Sequence, residues 1–171
     1  MKTSPHIFSI DEICQIGIQL EQSGIDYYTR MMERFPQEEF KKLFLKLIKM
    51  EEKHQQELQK IKKRRTGTPE CLIDSESSIY IKALLAENVY MDKAHLKAFE
   101  DKIKNIVDVL NLAIDMEKET ILFYLGLNVG LEGIITREEH QIIKDVISEE
   151  RDHLKELALL KAENIKKEGK E

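Results

Sequence analysis

The chain of 171 residues is long enough to bury a hydrophobic core and falls within the usual size of a single domain. Its net charge of −5 argues against a nucleic-acid partner, because phosphate backbones attract clustered positive charge. An apolar fraction of 42%, a charged fraction of 35% and only three prolines are typical of long amphipathic helices. We therefore expect one domain over residues 1–171.

The amino-terminal residues and the two cysteines indicate where such a protein resides. Residues 1–6 lack the apolar run of a signal peptide, and no stretch reaches the ~20 apolar residues that span a bilayer. Cys14 and Cys71 lie far apart and do not form a Cys-x-x-Cys pair. We expect a soluble cytoplasmic protein without a membrane partner and without a disulfide framework.

Four amphipathic runs predict four long helices, at about residues 9–35, 37–65, 102–129 and 136–167. Ser9 with Glu12, and Thr136 with Glu139, have the spacing of the capping box that begins a helix. Pro36 ends the first run, since proline cannot continue a helix. The first two runs, and the last two, are separated by short connections, so each pair is predicted to be an antiparallel hairpin.

The connection between the two predicted hairpins is too long for a turn. Its apolar pattern predicts a helix of its own, at about residues 77–99. Two antiparallel hairpins joined by one long crossover are the connectivity of a ferritin-like bundle, as opposed to an up-down-up-down bundle with three short loops. The predicted fold class is therefore an all-α, ferritin-like four-helix bundle. An apolar crossover can also pack on a second copy of the chain, and we expect a homodimer.

Each of the four predicted helices carries an apolar seam at alternating steps of three and four residues, which places the seam on one face. Near its middle every seam is interrupted by a glutamate or by a Glu-x-x-His pair. The interrupting residues are Glu21, Glu51, His54, Glu117, Glu150 and His153. A buried carboxylate costs several kcal/mol, so four of them in one core would unfold the bundle unless something neutralised them.

Two divalent metal ions would neutralise four glutamates, and two neutral histidines complete a nitrogen and oxygen ligand set suited to iron or manganese. The sequence also repeats itself, because residues 18–28 align with 114–124 and residues 51–58 align with 150–157. A pseudo-twofold axis between the two hairpins would give one histidine to each metal.

Several residues near this predicted site allow a second interpretation. Tyr28 and Tyr124 occupy matching seam positions, where we expect packing first and a hydrogen bond to a ligand carboxylate second. Glu52 and Glu149 stand beside two predicted ligands and would allow an error of one residue in the helical phase. They face about 100° away from the apolar stripe, so we do not place them in the site.

The ligand pattern resembles that of the rubrerythrin and ferritin-like diiron carboxylate family over nearly the whole chain. Residues 113–124 look especially like the third bundle helix of stand-alone rubrerythrin-like proteins. The resemblance implies a non-haem diiron site in which Glu51 and Glu150 bridge the two metals. It also implies that Glu21 and Glu117 each bind one metal at opposite ends.

Two departures from the family pattern affect what the resemblance implies. Rubrerythrins proper carry a rubredoxin domain with paired Cys-x-x-Cys motifs, which this chain lacks, so electrons are expected from a separate donor such as a rubredoxin. Thr120 stands where rubrerythrins place an additional glutamate, three residues after the ligand of the third helix. The ligand exchange associated with that glutamate therefore does not follow from the resemblance.

The resemblance implies an oxidoreductase with two iron ions that reduces hydrogen peroxide or dioxygen, a reaction of oxidative-stress defence. Manganese or zinc can replace iron with the same ligand types. The small residues Gly24 and Thr120, each one turn past a predicted ligand, would leave room for the oxidant. Ferritin-like oxidation and storage of iron is one alternative, and a metal-free helical interaction module is an alternative of another class.

Overall fold

The computed structural model describes residues 7–65, 72–88 and 93–168. In this part of the chain the helices are α1 (Ile10–Arg34), α2 (Glu38–Arg64), α3 (Ser75–Glu87), α4 (Lys93–Glu100), α5 (Ile106–Gly130) and α6 (Arg137–Glu168). Apart from one isolated bridge between Ser9 and Leu72, the described residues form no β-structure. None of these helices combines the length and the apolar character needed to cross a bilayer.

The four long helices form two hairpins, with α1 packed on α2 and α5 packed on α6. In the first hairpin Gly17 faces Leu58 whereas Gly24 faces Glu51, so the two helices run in opposite directions. A Cβ atom on Gly17 would lie 2.6 Å from Leu58 Cδ1, which shows how closely the helices approach there. The helices α3 and α4 lie in the crossover between the hairpins. The predicted all-α, ferritin-like connectivity is therefore confirmed.

Both predicted capping boxes are present. The backbone N–H of Ser9 donates to Glu12 Oε2 at 2.8 Å, and the N–H of Glu12 donates to Ser9 Oγ at 3.2 Å. The N–H of Thr136 donates to Glu139 Oε2 at 2.8 Å, and the N–H of Glu139 donates to Thr136 Oγ1 at 3.2 Å. These bonds satisfy amide groups that the first turn of a helix leaves without partners.

The prediction of a single crossover helix at residues 77–99 is wrong, because the described part of the crossover contains two helices. The first begins earlier than predicted, since Asp74 accepts a hydrogen bond from the N–H of Ser77 at 2.9 Å and caps it. It ends at Asn88, whose φ of −77° and ψ of 93° leave the helical region. Asparagine favours such ends because its side chain competes for backbone hydrogen bonds.

The predicted start of the third bundle helix, near residue 102, is also wrong. The helix α5 begins at Ile106, because Asn105 and Asp108 form a capping box that fixes its first turn. The N–H of Asp108 donates to Asn105 Oδ1 at 2.9 Å. The Asn-x-x-Asp spacing was visible in the sequence. However, the apolar pattern begins before Asn105, and the start of the helix was therefore predicted too early.

The helix α3 packs on α5 through small residues. A Cβ atom on Gly130 would lie 2.9 Å from Ser77 Cβ, so only glycine allows the two backbones to come this close. Ile81 is fully buried in this contact, whereas Ile79 on the same helix is 55% exposed. The crossover therefore buries one apolar face on its own chain, and the predicted homodimer stays a prediction.

The helix α4 is held by two arginines of α1. Arg30 Nη2 donates to Glu100 Oε1 at 2.6 Å, and Arg34 Nη1 donates to the backbone carbonyl of Glu100 at 2.9 Å. These bonds fix the end of the crossover immediately before α5.

The hydrophobic core consists of two separate clusters of buried residues. One cluster contains buried residues of α1 between positions 27 and 31, together with Leu157 of α6. The other contains buried residues of α1 between positions 10 and 20 and of α6 between positions 143 and 147. The helices α2 and α5 are divided in the same way. All six predicted ligands fall between the two clusters, so the middle of the bundle is a layer of ionisable side chains.

Candidate metal centre

The structure brings all six predicted site residues together in this middle layer. Their exposed fractions are 2% for Glu21, 3% for Glu51, 0% for His54, 3% for Glu117, 0% for Glu150 and 2% for His153. Glu52, which a shift of one residue would have placed in the core, is exposed. Burial of this many ionisable groups requires partners for each of them.

The six residues form two overlapping groups that could each hold a metal ion. One consists of Glu21, Glu51, His54 and Glu150, and the other of Glu51, Glu117, Glu150 and His153. Within each group, one ligand atom from every residue lies within 4.8 Å of the others. Glu51 and Glu150 belong to both groups, so the two groups share their carboxylates. Each group also has one glutamate and one histidine of its own.

The two groups are related by the predicted pseudo-twofold symmetry. His54 Nδ1 lies 3.2 Å from Glu51 Oε2 and 3.0 Å from Glu150 Oε1. His153 Nδ1 lies 3.0 Å from Glu150 Oε2 and 3.6 Å from Glu51 Oε1. The two imidazole rings are stacked with their centroids 5.7 Å apart. Both histidines therefore direct Nδ1 towards the shared carboxylates.

Two buried tyrosines hold the glutamates at the ends of the layer. The hydroxyl of Tyr28 donates to Glu117 Oε1, and the hydroxyl of Tyr124 donates to Glu21 Oε1. The ring of Tyr28 also stacks on Phe44, with the centroids 6.0 Å apart. Both roles considered for these tyrosines, packing and hydrogen bonding to a carboxylate, are therefore present. The hydrogen bonds orient each carboxylate towards the middle of the layer.

The pKa values of the buried glutamates differ from those of carboxyl groups in water. Burial is the main cause that raises the pKa of Glu21 well above its usual value, and repulsion by the neighbouring Glu51 is the next. Burial raises the pKa of Glu51 and of Glu150 in the same way, with repulsion from Glu150 and from Glu117 as the next causes. For Glu117 burial acts in the same direction, but its contacts with His153, Glu150 and Tyr28 outweigh burial and lower the pKa. Without cations, burial and mutual repulsion therefore disfavour the ionised form of Glu21, Glu51 and Glu150.

The pKa values of both histidines are raised as well, although burial acts against this shift. Burial lowers the pKa of His54, but the contacts with Glu150 outweigh it and raise the pKa to about 8. The pKa of His153 is also raised, because its contacts with Glu117 outweigh burial. Both shifts are caused by the negative charge of the neighbouring glutamates. The same concentration of negative charge would attract a metal cation.

One buried atom of the layer tests whether a cation fits. Glu150 Oε1 makes no hydrogen bond with any described residue. Glu150 Oε1 lies 3.0 Å from His54 Nδ1, but the two atoms do not have the geometry of a hydrogen bond. A buried carboxylate oxygen that lacks a hydrogen bond and lies beside a ring nitrogen is well placed to bind a cation. The carboxylate and imidazole donors suit iron, manganese or zinc.

Sequence reasoning missed Glu149, which was set aside because it lies off the apolar seam. The structure places Glu149 Oε2 3.0 Å from His54 Nε2, on the side of the ring that faces away from the layer. Lys53 Nζ donates to Glu149 Oε1 at 2.5 Å. The only sequence signal was the glutamate doublet at positions 149 and 150, which does not reveal a contact between α2 and α6.

Comparison with known proteins agrees with this geometry. A family model described as Rubrerythrin matches residues 12–161, a range that includes most of both hairpins and all six residues of the layer. No curated protein and no solved structure matches the chain. The family model covers most of the chain, and the chain therefore belongs to the rubrerythrin family.

Proposed function

We propose that this protein is a non-haem diiron oxidoreductase that reduces hydrogen peroxide or dioxygen with electrons from a separate donor, such as a rubredoxin. The observation that carries the proposal is the pair of overlapping ligand groups, each with three glutamates and one histidine, buried between two hydrophobic clusters. Membership of the rubrerythrin family supports the choice of iron and of redox chemistry over other metal-dependent reactions.

The six residues would divide the work of holding two irons. Glu21 and His54 would hold one ion, Glu117 and His153 would hold the other, and the carboxylates of Glu51 and Glu150 would bridge them. A pair of Fe(II) ions supplies two electrons, which is the number needed to reduce hydrogen peroxide to water. Four carboxylates balance the four positive charges of two Fe(II) ions, so no further counter-ion is needed.

The remaining side chains keep the site dry and its ligands oriented. Tyr28 and Tyr124 donate hydrogen bonds to the terminal glutamates and leave the second oxygen of each carboxylate for the metal. Gly24 leaves space beside Glu51, since even a Cβ atom there would be at an ordinary contact distance of 3.6 Å from Glu51 Cγ. This space is the place where we expect a small oxidant to approach.

A metal-free interaction module is disfavoured by the same burial. Such a module would hold four carboxylates in its core without a permanent positive partner, at a cost of several kcal/mol. Carboxylates at the protein surface would serve an interaction module equally well, without the free-energy cost of burial.

The first test is to count metal and oxidising equivalents in the purified protein. We expect about two irons per chain after expression with added iron. We also expect each peroxide added to the anaerobically reduced protein to oxidise two Fe(II), with two protons taken up and two waters formed. A chain that keeps accumulating iron far beyond two ions would instead support storage.

Substitutions assign the irons to the ligands. Glu117→Ala removes a ligand of one group and should leave about one iron per chain. Glu52→Ala is the matched control, because Glu52 is exposed and off the seam, and it should keep both irons. Two irons in the Glu117→Ala protein would contradict the assignment, and metal-free protein that does not take up Fe(II) would contradict the proposed function as a whole.

A further inference from the structure

The two histidines of the layer have the same inner contacts but different outer ones. His54 directs Nδ1 towards the shared carboxylates, and its Nε2 lies 3.0 Å from Glu149 Oε2. His153 also directs Nδ1 towards the shared carboxylates, but its buried Nε2 makes no hydrogen bond with any residue that the structure describes. The pseudo-twofold symmetry of the site is therefore broken behind the histidine rings.

The internal repeat explains why this difference is built into the sequence. Glu150 matches Glu51 in the repeat, so the residue before it, Glu149, matches Met50. A methionine side chain has no oxygen that could accept a hydrogen bond from an imidazole N–H. The second hairpin thus provides a carboxylate to the histidine of the first, and the first hairpin provides none in return.

A carboxylate behind a histidine determines how the ring can bind a metal. An ionised carboxylate only accepts hydrogen bonds, so Nε2 of His54 must carry the proton in its bond to Glu149. The lone pair of the neutral ring is then on Nδ1, which points into the layer. Lys53, at 2.5 Å from the other oxygen of Glu149, holds the carboxylate in place. Such outer partners typically change metal affinity by about 10- to 100-fold.

We propose that Glu149 is a positioning residue for His54 and makes the two metal positions unequal. The position held by Glu21 and His54 then binds its ion more tightly than the position held by Glu117 and His153. This inference rests on the proposed dimetal function, but the test below separates the two.

The test measures each metal position alone by anaerobic calorimetric titration with Fe(II). Glu117→Ala leaves the His54 position, and Glu21→Ala leaves the His153 position. Adding Glu149→Leu, which removes the acceptor, should weaken Fe(II) binding about 10- to 100-fold in the Glu117→Ala protein. The same change should alter binding less than about 3-fold in the Glu21→Ala protein. Glu149→Gln keeps an oxygen acceptor and should recover part of the affinity.

A matched control lies one helical turn away. Asp145 is an exposed carboxylate of α6 that lines the same surface cavity, of about 330 Å³, as His54 and Glu149, and it accepts a hydrogen bond from Gln141. Asp145→Asn should leave the affinity of both positions unchanged. A general effect of surface charge would instead weaken binding in the Asp145→Asn protein as well, and would overturn the inference.

Two further outcomes have separate meanings. Equal weakening of both positions by Glu149→Leu, or no weakening of the His54 position, would overturn the role of Glu149 and leave the dimetal site standing. Absence of Fe(II) binding by the unaltered chain would overturn the proposed function and this inference with it.

Discussion

The hydroxyl of Tyr124 donates a hydrogen bond to Glu21, a residue 103 positions earlier in the chain and on the other hairpin. Tyr28 and Glu117 form the matching bond in the opposite direction. Each hairpin therefore provides a terminal carboxylate together with the phenol that orients the carboxylate of the other hairpin. The two bonds couple the packing of α1 on α5 directly to the geometry of the candidate site.

Tyr124→Phe removes one of these bonds and leaves a buried carboxylate oxygen without a partner. We expect the metal-free protein to lose about 1–3 kcal/mol of unfolding free energy, measured by urea denaturation. Burial raises the pKa of Tyr124 well above its usual value, so the hydroxyl remains a donor throughout the neutral range. Tyr80→Phe is the control, because Tyr80 is 42% exposed, and an equal loss in both variants would contradict the prediction.

Glu150→Gln should stabilise the metal-free protein. Glu150 is fully buried, its Oε1 lacks a hydrogen bond among the described residues, and the charge of Glu117 repels it. Because burial and repulsion disfavour a charged side chain at this position, the neutral amide should raise the unfolding free energy at pH 7 in the presence of a chelator by about 1–3 kcal/mol.

With Mn(II) present, the order of stabilities should reverse for the same pair of proteins. The unaltered protein would gain binding free energy in its folded state, and the variant lacks a carboxylate that both candidate ligand groups share. A variant that is less stable than the unaltered protein under both conditions would indicate that Glu150 serves the fold and not a metal.

Glu139→Gln should destabilise the protein at neutral pH and have little effect in acid. Hydrogen bonds from the N–H of Thr136 and from Arg65 outweigh burial and lower the pKa of Glu139 below its ordinary value of 4.5. The ionised form therefore stabilises the fold above the unfolded pKa, and this contribution is lost as the pH falls through the folded pKa. We expect a loss of about 1–2 kcal/mol at pH 7.

Urea denaturation at pH 7 and at pH 3.5 measures this difference. The gap between the Glu139→Gln protein and the unaltered protein should close in acid. Glu138→Gln is the control, because Glu138 pairs with Arg64 at the surface, where an ion pair contributes little. A gap that stays constant between the two pH values would show that the charge of Glu139 is not the cause.

Cys14 should not react with thiol reagents while the protein is folded. It is 1% exposed, and burial, with Asp11 as the next cause, raises its pKa to about 12. Almost none of the thiol is then ionised at pH 8, and the thiolate is the reactive form. In a Cys71→Ser background, a chromogenic disulfide reagent should detect Cys14 only after denaturation. Rapid reaction of the folded protein would contradict its place in the core.

Periodicity predicted the candidate site well because burial in a bundle is a property of one helix face. In α2 the predicted seam and the buried residues are the same set: Phe40, Phe44, Leu47, Glu51, His54, Leu58 and Ile61. The capping boxes at Ser9 and Thr136 were equally local, since each depends on residues three positions apart. Local patterns of this kind are visible in one sequence.

Two features of the structure that involve contacts or breaks outside one regular helix were not predicted. The end of α3 at Asn88 interrupts an apolar pattern that reads as continuous. The bond between Glu149 and His54 spans two helices of different hairpins, and no spacing along the chain encodes it. A pattern identifies which face is buried, but it does not identify the neighbour that the edge of that face will contact.

The ionisable layer crosses all four long helices and separates one apolar cluster from the other. Each cluster draws on both hairpins, so each resembles a short four-helix bundle that shares its backbone with the second. The four long helices run through both clusters and hold them in one body. Cations bound in the layer would tie the two hairpins together at mid-length and strengthen the coupling between the two apolar ends of the bundle.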